Sequence, residues 1–404
     1  MRTKSYNRFD LSIFLLITTT AFGDIGGNLQ VTRLVGILLV PLLMVSLPKC
    51  KFAKPYGICI LFFWAYCICS LLWTLDKDEG LKQLVYYIVH LLIFLEILVF
   101  SKFARNPLQS ILNGWLIAVS LTLVVAMWEL VTDKHLIWSR FESEEVINTK
   151  HGAIYRRFAA VAFFNYNTYV TFLCFALPFL YGCLEEISSW KYQRLLASIA
   201  IILSIVCILF NSSRGGLISV MIMSLIYFWI HVKNFQSMYL FVFLLIGFGI
   251  IVYYFGDEMF LAIRMRMEEA DNSLVRTDEG RFVIWENALK AFKPTAGLGT
   301  GVGGVQAAIS RVTSGVIIPH NLLLEILVQF GCIFFLIFLR FLWKLWRNAR
   351  RLSRESLRHV IYMALCAFPV YTIIDSSVLL KTFLYVAMAS LTVIANYERI
   401  KPVY

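Results

Sequence analysis

Twelve long apolar runs, separated by short polar stretches, leave this chain few ways to fold. They fall at about residues 9–22, 29–47, 56–75, 81–100, 108–131, 158–183, 194–210, 215–231, 237–255, 319–342, 358–375 and 377–396. A run of about 20 apolar residues crosses a bilayer as a helix. In lipid every backbone N–H and C=O must be bonded within the structure, so only helices or closed barrels span it. No alternation of period two marks barrel strands. The expectation is an all-α, polytopic membrane protein of about 12 transmembrane helices, forming one integral membrane domain over residues 1–404. Composition agrees: the chain is 59% hydrophobic and 15% charged, whereas soluble domains carry about 25% charged residues. The stretch Phe9–Phe22 has no small-residue cleavage site and is expected to remain as the first span.

The net charge of +12 is distributed as orientation, not as a nucleic-acid surface. Lys49, Lys51, Lys54, Lys102, Arg105, Lys191, Arg194, Lys233 and the cluster Arg347–Arg358 fall in one alternating set of loops, and both termini belong to that set. By the positive-inside rule these face the cytoplasm. The opposite set faces outward and includes the longest loop, 256–318, between spans 9 and 10. Its segment 279–293 reads as an amphipathic helix. Phe282, Trp285, Leu289 and Phe292 recur at helical spacing, so this helix is expected to lie in the outer membrane interface with its aromatic face toward lipid. The nine cysteines sit mostly in apolar runs and pair with no histidine at metal-ligand spacing. They read as small buried apolar residues, and neither a metal nor a cofactor is expected.

Chemistry concentrates where the long loop re-enters the membrane, at Pro319-His320-Asn321. An ionisable imidazole at that depth is costly without a partner or a task, and histidine titrates in the range suited to a general base. Several external arginines accompany it. Arg214 follows Asn211-Ser212-Ser213 and precedes Gly215-Gly216 at the outer start of a span. It reads as an anion clamp at a helix N-terminus or as a snorkelling end-of-span residue. Arg281 opens the amphipathic helix, and Arg156-Arg157 stand just before the sixth span. Asn165 and Asn167 lie within the apolar run that starts at Phe158, where paired amides bond a neighbouring helix or line a polar cavity. The glycine series 297–304 lacks the preceding strand of a dinucleotide site and reads as a tightly turning backbone near the site.

Taken in order, these pieces resemble the O-antigen ligase / O-antigen polymerase superfamily of bacterial membrane glycosyltransferases. They are Arg157 before Phe164-Asn165-Tyr166-Asn167, Ser213-Arg214-Gly215, Arg281 with Trp285, Gly297-Leu298-Gly299 with Gly301, and His320-Asn321 with Leu324. The chain departs from the family pattern at Ala159-Ala160, where glycine is frequent, and at Tyr166, where proline is usual. The resemblance implies a metal-independent transfer of glycan from undecaprenyl diphosphate to an acceptor hydroxyl, on the periplasmic face of the inner membrane. His320 would be the catalytic base. Arg214 and Arg281 would hold the leaving diphosphate, with Arg157, Asn165, Asn167 and Asn321 as further substrate-binding residues. The partners would be the lipid-linked donor, a glycan or lipid A-core acceptor, membrane lipids and a chain-length regulator.

The superfamily includes polymerases, which extend a lipid-linked glycan, and ligases, which move the finished glycan to the lipid A core. A ligase acceptor is strongly anionic and calls for a basic outer surface. In loop 256–318 seven basic residues face eight acidic ones, a near balance that favours the polymerase role. A lipid-linked glycan transporter is the alternative of another class. It would show two halves with matching broken helices and midplane charges. Asp375, the best such charge, falls in an external turn.

Overall fold

The computed structural model describes residues 6–139, 146–149, 152–155, 157–186, 192–231, 277–314 and 319–400. Span nine at 237–255, the loop residues 256–276 and Arg156 lie outside the described residues. The body is helical: α1 Arg8–Thr18, α2 Val31–Ser46, α3 Lys54–Ser70, α4 Lys77–Phe103, α5 Pro107–Thr132, α6 Tyr166–Glu185, α7 Gln193–Phe210 and α8 Arg214–His231. After the undescribed stretch come α9 Thr277–Phe292, α10 Val305–Ser310, α11 Leu322–Ala349, α12 Glu355–Tyr371, α13 Thr382–Ala395 and α14 Tyr397–Ile400. Beside them stands one short antiparallel hairpin, β1 Val146–Thr149 with β2 Gly152–Tyr155, in register Val146 to Tyr155. The hairpin falls in the polar stretch between two apolar runs, where an apolar-run reading carries no information. Among the described residues six helices are long and apolar enough to cross a membrane, and α3, α8 and α13 are shorter apolar helices.

Local chemistry sets the helix ends. Asn7 caps α1 by accepting from the N–H groups of Phe9 and Asp10, while Asp10 answers with a bond from the Asn7 N–H, a reciprocal capping box. The buried Asp10 carboxylate also accepts from the N–H groups of Arg105 and Asn106, at 3.1 and 2.7 Å, and so ties the turn between α4 and α5 to the start of α1. At the opposite end of the bundle Asp76 caps α4. The core is built on α6, nearly all of which is buried. Its Phe179 stacks on Trp115 with ring centroids 5.0 Å apart, and Phe172 and Phe175 pack against Phe383 of α13.

Two apolar runs are not continuous helices. The expected span at 158–183 becomes helical only at Tyr166, and residues 157–165 run as irregular backbone although Phe158–Phe163 are buried. The run 319–342 contains a break. At Gly331, φ is 78° and ψ −177° inside α11, a conformation that a residue with a Cβ rarely adopts.

Candidate active site

The break in α11 explains the glycine series. With the helix interrupted, the carbonyls of Val328 and Gln329 lose their partners in the next turn. They accept instead from the N–H groups of Thr300 and Gly301, at 2.8 and 3.1 Å. Cys332 N–H donates in return to the Gly297 carbonyl at 2.9 Å. Backbone meets backbone here, and no Cβ fits. One on Gly331 would stand 2.3 Å from the Gly297 oxygen, and one on Gly299 would stand 2.6 Å from the Gln329 oxygen. The far side of the loop is pinned to the outer end of α3: Trp73 Nε1 donates to the Gly299 carbonyl and Thr74 Oγ1 to the Val302 carbonyl. The glycines thus supply the tight turning expected of them.

On this platform sits α9. Ala288 and Ala291 are buried with Val305, Ala308, Ile309 and Val328, so the helix docks by its small residues. Phe282 and Leu289 remain exposed, as expected for an interfacial helix. Trp285 departs from the expected lipid-facing stripe: its Nε1 donates to the Pro319 carbonyl at 2.8 Å. That bond joins the helix carrying Arg281 directly to the residue before His320.

His320 is held by its neighbours on both sides. Its own φ is 46°, in the left-handed region that is costly for a side-chain-bearing residue. Asn321 caps α11 by accepting from the Leu324 N–H at 3.2 Å, and Leu322 N–H donates to the Thr372 carbonyl. The imidazole Nδ1 is shut from solvent with no hydrogen-bond partner among the described residues. Burial disfavours the imidazolium, and the Arg281 guanidinium lowers its pKa further. A neutral imidazole with one accessible lone pair is the form a general base requires.

Arg214 begins α8 and is exposed. Ser213 Oγ accepts from the Gly216 N–H at 3.2 Å and caps that helix. Gly215 packs on Ile374, and Gly216 on Val170 and Ile208. The Gly-Gly pair therefore serves close helix packing. Gly215, next to Arg214, and Leu322, two residues after His320, thus both meet the segment 372–374. Beneath it lies Asp375, buried, its carboxyl raised by that burial.

The structure gives the remaining expected residues local bonds. Arg157 is exposed, and its Nη1 donates to the Leu130 carbonyl at 3.3 Å, near the C-terminus of α5. Asn165 caps α6 by accepting from the Asn167 N–H at 2.7 Å. The pair therefore stands at the start of a helix, not inside a span, because the backbone before it is bonded elsewhere. Glu129 Oε2 accepts from the N–H groups of Ala160 and Val161, at 2.8 and 2.9 Å. Asn211 makes two bonds to Ala159. Asp24 N–H donates to the Ala162 carbonyl, and its carboxylate accepts from Phe164 N–H and pairs with Lys381 at 3.2 Å. Sequence reasoning passed over Glu129, Asn211 and Asp24. The available signal was a carboxylate, Glu129, inside an apolar run.

Residues 199–339 match the family described as O-Antigen ligase, a stretch that includes Arg214, Arg281 and His320 but not Arg157 or Asn165. Among curated proteins no match is found. Covering residues 199–339 of 404, this match supports the resemblance of the chain to the O-antigen ligase / polymerase superfamily.

Proposed function

We propose that this protein is an inner-membrane glycosyltransferase that moves glycan from undecaprenyl diphosphate to an acceptor sugar hydroxyl on the periplasmic side. The observation that carries this reading is the pairing of His320, whose pKa burial and Arg281 both lower, with the cation Arg281, on a helix tied to the neighbouring Pro319 by the Trp285 bond. In the proposed step Nε2 takes the acceptor's hydroxyl proton, and the freed oxygen attacks the anomeric carbon of the donor. The bond from that carbon to the phosphate oxygen breaks, and the diphosphate leaves as an anion. Arg214 and Arg281 would receive it, since planar guanidinium groups donate in pairs to phosphate oxygens. Such chemistry asks for a base and fixed cations and uses no metal. The docked but partly exposed α9 would let the diphosphate enter sideways from the bilayer. Arg157, Asn165, Asn167 and Asn321 would shape the cavity around it.

The membrane arrangement in this reading is about twelve spans with both termini cytoplasmic and loop 256–318 periplasmic. The near balance of charge in that loop supports the polymerase role, working with a chain-length regulator. The ligase role has support of its own in the description of the matched family. One experiment tests both. In cells lacking the gene, surface glycan is resolved on a gel, with and without a plasmid copy. Single repeats on the core mean a lost polymerase, and long glycan absent from the core means a lost ligase. Unaltered surface glycan would contradict the proposal.

A further inference from the structure

The structure holds a second polar site beside His320 that the transfer step above does not use. A small, half-open cleft lies between α4, α11, the glycine platform and residues 377–380. Its lining includes Gln83, Tyr87, Gln306, Pro319, Glu325 and Gln329. Gln83, Glu325 and Gln329 are each more than nine-tenths buried. Gln83 comes from α4, while Glu325 and Gln329 stand one turn apart on α11, and all three are held in fixed positions. Gln329 Nε2 donates to Gln83 Oε1 at 2.7 Å, Gln83 Nε2 to Glu79 Oε1 at 2.9 Å, and Ser377 N–H to Glu325 Oε1 at 2.8 Å. An amide carries two N–H donors and a carbonyl with two lone pairs, so each glutamine keeps capacity to spare after these bonds. Gln306 stands exposed at the rim.

The charge of the cleft decides what it suits. Its lining includes a buried carboxyl group and no cation, so it offers a diphosphate nothing to pair with. The cations of the proposed site, Arg214 and Arg281, are not part of it. Amides, a phenol and a carboxylate that offer donors and acceptors together match the hydroxyls of an uncharged sugar ring. Pro319 forms part of the wall, so a ring seated here lies next to the residue proposed as its base. We propose that this cleft binds the acceptor's terminal sugar and holds its reactive hydroxyl toward His320, with Gln306, Gln329 and Gln83 as its positioning residues. The proposal rests on the glycosyltransferase reading and adds the acceptor side to it.

The test uses the full-length protein in proteoliposomes. A purified undecaprenyl-diphosphate-linked repeat unit is the donor, and a soluble oligosaccharide of the same repeat is the acceptor. Gln306→Ala and Gln329→Met should each raise the acceptor KM by about tenfold, the scale of one lost hydrogen bond. The donor KM should stay within about twofold, since only acceptor binding is touched. An unchanged acceptor KM would overturn the assignment, and so would an equal rise in both KM values. If Gln329→Met does not accumulate, the exposed Gln306→Ala decides alone. His320→Ala runs in the same assay: if it is active, the underlying glycosyltransferase mechanism fails. If it is inactive while the glutamine variants keep the wild-type acceptor KM, only the cleft assignment fails.

Discussion

Two stretches of irregular backbone lie against this helical bundle, and they are satisfied by opposite means. Residues 157–165 are bonded by side chains reaching in from elsewhere: Glu129 from α5, Asn211 from the end of α7 and Asp24 from the turn after α1. The glycine platform is bonded to the opened backbone of α11, with glycines where a Cβ would collide. Both answer the rule that non-helical backbone at membrane depth must be bonded within protein. They differ in what breaks them. The first fails when a distant polar side chain is removed, and the second fails when a single methyl group is added. Only the second is joined to His320, so damage there should reach the chemistry as well as the fold.

The largest effect should come from Gly331→Ala. The added carbon meets carbonyl oxygens at 2.3 and 2.5 Å on a backbone with φ 78°, and no flexible side chain can yield. Membrane-extracted protein should be scarce on a blot or melt well below wild type, and activity per folded molecule should fall too. Wild-type abundance and activity would show that the helix break is dispensable. Next in size is Glu129→Ala, which leaves two buried N–H groups unpaired at about 1–3 kcal/mol each. Its melting temperature should drop by several degrees, while the survivors keep transfer activity closer to wild type than those of Gly331→Ala. If activity is lost while the melting temperature holds, the buried run 158–163 that Glu129 secures belongs to the chemistry and the contrast between the two stretches is wrong.

What could be read in advance follows the same division. Hydropathy shows which segments are apolar, so the membrane class and the all-helical body were legible. It does not show whether an apolar run is bonded to itself. Phe158–Phe163 read as helix because the partners that keep it open, Glu129 and Asn211, lie tens of residues away in sequence. The break at Gly331 was equally hidden, because the apolar pattern continues through it. At the site, the order of motifs singled out His320, Arg281 and Arg214 as candidates, and the matched stretch 199–339 contains all three. Trp285 was misplaced because its side chain has an apolar body and a polar tip, and spacing speaks only of the body. Asn165 and Asn321 read as substrate ligands, yet each makes a capping bond, a use that Asn shares with every helix start.

Smaller effects sharpen the link between platform and base. Trp285→Phe keeps the ring and removes the bond to Pro319. It should cost about 1 kcal/mol of stability but lower transfer several-fold, measured on protein of matched folded fraction. A loss confined to stability would mean that the bond only packs the loop. The pH dependence is subtler still. Burial and Arg281 both lower the pKa of His320, so transfer should persist to pH values below the ordinary histidine range before the base protonates. Removing the cation in Arg281→Gln raises that pKa, so the acid limb of the residual activity should move to higher pH. A limb that stays in place, or moves down, would separate Arg281 from the imidazole.

The most direct measurement is transfer by purified His320→Ala protein, reconstituted with the lipid-linked donor and matched to wild type in melting temperature. A lost general base typically removes about 10²–10⁴-fold of rate, so transfer should fall by at least about a hundredfold while the protein stays folded in the membrane. Transfer near the wild-type rate by well-folded His320→Ala would contradict the account.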